Sequence, residues 1–89
     1  MYKTITEIKE ANKNAGLYFF SPATLRFFNS KIESKVLKGQ FFVTSERQEV
    51  SMPKQYTVRK AREDGSIGTV GGFQEFNTIE GAKDYISSL

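Results

Sequence analysis

The chain has 89 residues and a formal net charge of +3, from thirteen basic and ten acidic side chains. It contains no cysteine and no histidine, which excludes disulfides, thiolate nucleophiles, Cys/His zinc sites and imidazole general bases. Because a domain of this size hides only about 60–65% of its chain surface, the eight phenylalanines and four tyrosines are expected to supply much of the core. We therefore expect a single domain over residues 1–89.

The sequence shows no sign of membrane insertion or export. No apolar run approaches the ~18 residues that span a bilayer, and the segment MYKTITEIKE lacks the apolar stretch of a signal peptide. We therefore expect a cytoplasmic protein without a membrane partner. A charge of +3 favours an anionic partner, although it is also an ordinary charge for a small soluble domain.

Two helices are predicted in the first third of the chain. Thr4–Glu7 has the form of a capping box, and Gly16 supplies a left-handed stop, so the first helix runs between them. Ser21-Pro22 starts the second helix, because serine is a preferred N-cap and proline fits the first helical position. This second helix is expected to continue to about Asn29. Residues 17–20, all apolar, connect the two helices and are expected to enter the core.

Extended structure is predicted next. Lys31–Leu37 alternates in polarity and predicts a strand, with a continued helix as the alternative that the sequence leaves open. Gln40–Ser45 is the most strand-like hexapeptide of the chain, because aromatic and β-branched residues dominate it. Glu46–Lys54 is polar and contains Pro53, so we expect a loop there.

Gln55–Phe76 is predicted to form a β-hairpin. Its first half alternates apolar and polar side chains, which is typical of a half-buried strand. Asp64-Gly65 follows, and this pair tolerates the positive φ angles of a tight turn. The β-branched and aromatic residues of Ile67–Phe76 then form the returning strand.

A closing amphipathic helix completes the predicted fold. Asn77 is the predicted N-cap, with Glu80 at the third helical position, and apolar residues follow at spacings of three and four. The loops between strands are too short for crossover helices. The sequence therefore predicts an α+β fold, a four-stranded antiparallel meander with two N-terminal helices and one C-terminal helix packed on one face.

The alternation of the hairpin assigns its side chains to two faces. Tyr56 and Val58 are expected to face the helices, whereas Thr57 and Arg59 lie on the open face of the sheet. The predicted core beneath the closing helix consists of Phe41, Val43, Tyr56, Val58, Phe73, Ile79, Tyr85 and Ile86.

Basic residues are concentrated in the sheet region. Residues 26–62 carry nine basic and three acidic side chains, whereas the residues after them carry one basic and five acidic. Lysines and arginines contact phosphates, and exposed aromatic rings stack on bases. The alternative interpretation is that the cations are solvated and guard the sheet edges against aggregation. The candidate binding residues are Arg26, Lys31, Lys35, Arg47, Lys54, Thr57 and Arg59.

Arg59 is the most specific of these candidates. Arg47 and Lys54, at the two ends of the preceding loop, are expected to converge on it. A planar guanidinium on an open sheet face grips a phosphate or a carboxylate well. The alternative is a structural role, in which Arg59 pairs across the hairpin with Glu75 or Gln74.

No catalytic, cofactor or metal motif is evident. Ser45–Arg47 and Glu63-Asp64 are the only candidates for a nucleophile or paired carboxylates, and both are typical of turns and strand ends. Residues 65–72 are glycine-rich but lack the following helix and lysine of a phosphate loop. The order of elements resembles that of double-stranded-RNA-binding domains, but Asn77–Lys83 lacks their basic cluster. We therefore expect no enzymatic activity, no cofactor and no metal ion.

Three segments resemble small uncharacterised accessory proteins that phages and plasmids carry, over roughly residues 4–88: FFSPATLRFFNSK, GQFFVTSER and QYTVRKAREDGSIGTVGGFQEF. The resemblance implies a partner that is nucleic acid or a host protein, brings no catalytic residues with it, and leaves monomer and homodimer open. The sequence thus predicts a non-enzymatic binding protein whose basic sheet-side surface engages an anionic partner, either nucleic acid or an acidic protein patch. The alternative is an inhibitor of a host defence system, anti-CRISPR or anti-restriction, that binds a protein directly.

Overall fold

One antiparallel sheet of four strands organises the protein, whose computed structural model describes residues 1–49 and 51–89. The strands follow the order β1-β2-β3-β4, so each strand pairs with its neighbour in sequence. The predicted α+β fold with a four-stranded antiparallel meander is therefore confirmed. The elements are α1 (Ile5–Asn14), α2 (Pro22–Phe27), β1 (Lys31–Ile32), β2 (Phe41–Glu46), β3 (Gln55–Ala61), β4 (Ile67–Val70) and α3 (Ile79–Ser87).

Side-chain caps start the first two helices where the sequence predicts them. The Thr4 hydroxyl accepts from the Glu7 amide at 3.2 Å, and the Glu7 carboxylate accepts from the Thr4 amide at 3.1 Å, which completes the capping box of α1. The Ser21 hydroxyl accepts from the Thr24 amide at 3.2 Å and caps α2. This helix ends at Phe27, two residues earlier than predicted, because Asn29 adopts a left-handed conformation with φ of 51°.

Two of the predicted boundaries shift. The N-cap of α3 is Thr78 rather than Asn77, since the Thr78 hydroxyl accepts from the Gly81 amide at 3.0 Å. The predicted strand Lys31–Leu37 pairs regularly only over its first two residues. The Val43 amide donates to the Ser34 hydroxyl at 2.9 Å, and this bond replaces a backbone hydrogen bond between the strands. No residue of this segment is helical, so the alternative of a continued helix is wrong.

The helices cover both faces of the sheet. Phe41 and Val43 of β2 pack with Ala82 of α3 on one face. Phe42, between them in the strand, is fully buried on the other face with Ile8 of α1. The prediction that all helices pack on one face is therefore wrong, because β2 places aromatic side chains on both of its sides and each needs a cover.

A close contact fixes α1 to the tip of the β3–β4 hairpin. The side-chain amide of the buried Asn12 donates to the Gly65 carbonyl at 2.9 Å and accepts from the Phe19 amide at 3.1 Å. Gly65 has a φ of 90°, and a Cβ at this position would lie 2.4 Å from the carbonyl oxygen of Ala11. The predicted turn glycine is thus also the residue that lets α1 approach the hairpin.

Phe73 is the one member of the predicted core that lies elsewhere. The other seven all belong to the cluster between the sheet and α3, either buried or packed against its edge. Phe73 instead is 47% exposed, and its ring lies 5.6 Å from the ring of Phe28. The prediction failed because the chain turns at Gly71, with φ of 77°, and the strand alternation does not continue past β4.

The burial of the two phenylalanines predicts very different mutational costs. Phe42→Ala is expected to lower the free energy of unfolding by about 3–5 kcal/mol, because it removes a fully buried ring. Phe73→Ala is expected to lower it by only about 1–2 kcal/mol, because half of its ring surface already contacts water. Urea denaturation measures both variants, and equal losses would contradict the burial described above.

The capping box predicts a pH dependence of stability. Backbone amides of Lys3 and Thr4 donate to the Glu7 carboxylate and lower its pKa from 4.5. Its stabilising contribution is therefore present above the unfolded pKa and is lost as the pH falls through the lower folded pKa. The difference in melting temperature between the parent and Glu7→Gln is expected to shrink as the pH falls from about 6 to about 3. Glu10→Gln, one turn further along α1, is the matched control, and an equal convergence for this variant would refute the role of the cap.

Candidate functional site

A buried carboxylate, that of Glu46, lies on the sheet face opposite α3 and is only 1% exposed. Its Oε1 accepts from the Thr57 hydroxyl at 2.6 Å. Its Oε2 accepts from the Thr44 hydroxyl at 2.6 Å, from Nη2 of Arg59 at 3.2 Å and from the Ser30 hydroxyl at 3.4 Å. Because both oxygens are hydrogen-bonded and the charge is paired, the protein compensates the cost of burying the carboxylate.

The guanidinium of Arg59 is held from several sides, and its side chain is 11% exposed. Nε donates to the Thr44 hydroxyl at 3.1 Å, and Nη1 donates to the Thr69 hydroxyl at 2.7 Å. The guanidinium carbon also lies 5.3 Å from the ring centre of Phe19 and 5.5 Å from that of Phe73. Both distances are within the range of cation–π attraction. Arg59 thus links two strands to two aromatic rings.

The prediction that Thr57 and Arg59 lie on an open face is wrong. The segment after β4 crosses this face, and the Gln74 amide donates to the Thr57 hydroxyl at 2.9 Å, which leaves Thr57 fully buried. Arg59 does have a structural role, as the alternative interpretation predicts, but its partner is not the predicted one. The arginine pairs with Glu46, which the sequence assigned to a loop, and not with Glu75 or Gln74.

Three exposed phenylalanines form what we call the aromatic cluster: Phe27, Phe28 and Phe73. Their exposed fractions are 78%, 46% and 47%. Ring centres lie 4.6 Å apart between Phe27 and Phe28 and 5.6 Å apart between Phe28 and Phe73, both edge to face. A shallow cavity of about 210 Å³ lies against the cluster and is lined by Phe27, Phe28, Arg47, Gln48, Phe73 and Gln74.

A second cavity of about 180 Å³, which we call the basic cavity, is lined by Asn29, Lys31, Ser45, Arg47 and Lys54. Lys31 and Ser45 are register partners in β1 and β2. Arg47 directly follows β2, and Lys54 directly precedes β3. The antiparallel sheet therefore brings cations from three chain segments to one end of the sheet.

Arg47 connects the two cavities, because it lines both of them. Its amide donates to the Phe28 carbonyl at 3.3 Å, and its carbonyl accepts from the Asn29 side-chain amide at 3.0 Å. The end of α2 is thereby fixed beside the end of β2. We call the aromatic cluster and the basic cavity together the aromatic–basic surface.

The structure brings together three of the seven predicted binding residues, Lys31, Arg47 and Lys54. Arg26 and Lys35 are exposed but line neither of the two cavities.

Sequence reasoning missed the aromatic cluster as part of a site. A signal was present for Phe27 and Phe28, since successive residues of the predicted helix point about 100° apart and only a wide apolar face would bury both rings. For Phe73 there was no such signal, because its position depends on the turn that follows β4.

The residues that the structure describes, 1–49 and 51–89, contain no cluster of three or more acidic side chains that could hold a metal ion. Over the same residues, no helix is both long and apolar enough to cross a bilayer. The aromatic–basic surface itself offers exposed apolar rings and positive charge.

Removal of one member of the buried ion pair is expected to destabilise the fold strongly. Arg59→Met leaves the Glu46 carboxylate buried without its cation and is expected to lower the free energy of unfolding by about 3–5 kcal/mol. Addition of Glu46→Gln to this variant is expected to recover part of the loss, because no buried charge then remains. Arg62→Met, at an exposed arginine, is the control. Urea denaturation measures the series, and strictly additive effects would show that the two charges are not coupled.

The comparisons with known proteins give one match. No curated protein and no solved structure matches the chain. A family model described as "Family of unknown function (DUF7447)" matches residues 4–87. Since these residues include all seven helices and strands, the chain belongs to this family of unknown function.

Proposed function

We propose that this protein is a non-enzymatic cytoplasmic binding module whose aromatic–basic surface engages single-stranded nucleic acid. The observation that carries the proposal is the position of Arg47, which lines both the basic cavity and the cavity of the aromatic cluster. Cations and exposed rings thus meet at Arg47, directly after β2. Such a combination is typical of proteins that bind single strands, because the rings stack on bases while the cations follow the phosphates.

The aromatic cluster supports base stacking. Phe27 is 78% exposed. Burial of a phenylalanine side chain stabilises a domain more than its exposure does, so this exposure calls for an explanation. Its contact with Phe28, and the contact of Phe28 with Phe73, hold the three rings in a defined arrangement. Phe73 in turn lies 5.5 Å from the guanidinium of the partly buried Arg59, so the cluster borders the ion pair with Glu46.

The basic cavity supports phosphate contact. Lys31, Arg47 and Lys54 converge there, and Nζ of Lys54 lies 3.2 Å from the carboxylate of Glu33. An acidic protein patch would also satisfy these cations, but it would leave the three neighbouring rings without flat partners. Nucleic acid satisfies both halves of the surface, and we therefore favour it over an acidic protein.

The proposal predicts that an exposed ring contributes to nucleic-acid binding. Phe27→Ala is expected to weaken binding of a fluorescein-labelled oligothymidylate about 5- to 150-fold, since stacking contributes about 1–3 kcal/mol per base. Tyr18→Ala is the matched control, because Tyr18 is 75% exposed but lies at a different cavity, beside α1. Fluorescence anisotropy measures the affinities, and an equal loss for the two variants would contradict the proposed site.

Salt provides a second readout of the same experiment. The slope of log K against log salt counts the phosphates contacted: about −2 for three phosphates, or about 20-fold between 50 and 200 mM salt, and about −0.7 for one phosphate that the three cations share. Absence of binding to single-stranded DNA and RNA at 50 mM salt would refute the proposal.

A second proposal is a host-directed inhibitor of a defence system, which follows from the resemblance to proteins that phages and plasmids carry. The observation that favours it is the apolar character of the same surface, where Met52, 45% exposed, lies near the three rings through the shared lining residues Gln48 and Gln74. Aromatic residues often dominate the binding energy of protein interfaces. Capture of one defined defence protein that survives nuclease and moderate salt, and that Phe27→Ala abolishes, would favour this role over nucleic-acid binding.

A further inference from the structure

The basic cavity has a size that selects among anionic groups. Its volume is about 180 Å³, below the ~300–1,000 Å³ of pockets that hold whole small-molecule ligands. The cavity therefore has the size expected of a site for one small group, such as a tetrahedral oxyanion.

The charges around the cavity favour an anion. Lys31, Arg47 and Lys54 contribute three positive charges, and Glu33 contributes one negative charge through its contact with Lys54. Three of these four charged side chains are therefore basic. The ammonium of Lys54 carries three donor hydrogens, so the contact with Glu33 leaves donors for a second acceptor.

The cavity is also built on fixed elements. Ser45, in its lining, is 1% exposed and belongs to the fully buried strand β2. Asn29 is held by its hydrogen bond to the Arg47 carbonyl at 3.0 Å. The cations thus project from a rigid frame, which lowers the entropic cost of gathering them around a ligand.

We propose that the basic cavity is a phosphate pocket that binds a single phosphoryl group. Resting on the function proposed above, this phosphate is the anchor of a strand whose neighbouring bases extend past Arg47 onto the aromatic cluster. A terminal phosphomonoester and an internal phosphodiester offer the same phosphoryl chemistry. The terminal group, with up to two negative charges, attracts the cations around the pocket more strongly than an internal phosphodiester with one.

Inorganic phosphate alone is the first probe. In a titration followed by amide chemical shifts at constant ionic strength, saturable shifts are expected at Lys31, Ser45, Arg47 and Lys54. Lys31→Gln with Lys54→Gln is expected to weaken phosphate binding at least ~10-fold, because two charged donors are lost. Lys35→Gln is the matched control, since Lys35 is exposed and lines neither cavity of the aromatic–basic surface.

One further variant is expected to bind phosphate more tightly, which distinguishes a loss of the pocket from a general loss of structure. Glu33→Gln removes the negative charge beside Lys54 and is expected to tighten phosphate binding about 3- to 10-fold. A general loss of structure would weaken binding in every variant. Tighter binding in Glu33→Gln together with weaker binding in the double lysine variant supports the pocket, whereas unchanged affinity in both overturns it.

Oligonucleotides distinguish the two sources of phosphate and separate this inference from the proposed function. Tighter binding of a 5′- or 3′-phosphorylated oligothymidylate than of its hydroxyl form assigns the pocket to a terminal phosphate, and equal binding that still depends on the two lysines assigns it to an internal one. Phosphate binding without oligonucleotide binding would refute the proposed function and leave the pocket standing. Oligonucleotide binding that depends on Phe27 but not on Lys31 and Lys54 would overturn the pocket and leave the function standing.

Discussion

The ion pair between Glu46 and Arg59 determines how the sheet face opposite α3 is covered. A carboxylate that is 1% exposed is tolerable only with its charge paired and its oxygens hydrogen-bonded. Hydroxyls of Thr44 and Thr57 on the two central strands supply part of this, and Thr57 in turn accepts from the Gln74 amide. The segment after β4 thus covers this polar network, and its path places Phe73 at the surface.

The sequence predicts local features well, but it does not predict features that depend on the pairing of distant strands. Helix starts depend on residues three positions apart, so the capping box at Thr4 and the serine-proline start of α2 were predictable from local chemistry. The hairpin was predictable from alternation and from the turn at Gly65. The ion pair of Arg59 was not, because it requires the register that places Glu46 on the same face as Arg59, four pairs further along β2 and β3.

The candidate site was likewise predicted only in part. Composition indicated a basic sheet region, and the antiparallel order does gather Lys31, Arg47 and Lys54 at one end of the sheet. The exposure of Phe73 was not predictable, because strand alternation assigns a side chain to a face but does not say what covers that face. The aromatic half of the surface therefore emerges only from the path of the chain around Phe28 and Phe73.

The contact between α1 and Gly65 joins two parts of the chain that are far apart in sequence. Asn12 and Gly65 are separated by 53 residues, and the space against the Ala11 carbonyl admits no side chain larger than hydrogen. A ten-residue helix is marginal in water by itself, so α1 draws its stability from this contact and from the packing of Ile8 with Phe42. A side chain at Gly65 is therefore expected to displace α1 as well as to strain the turn.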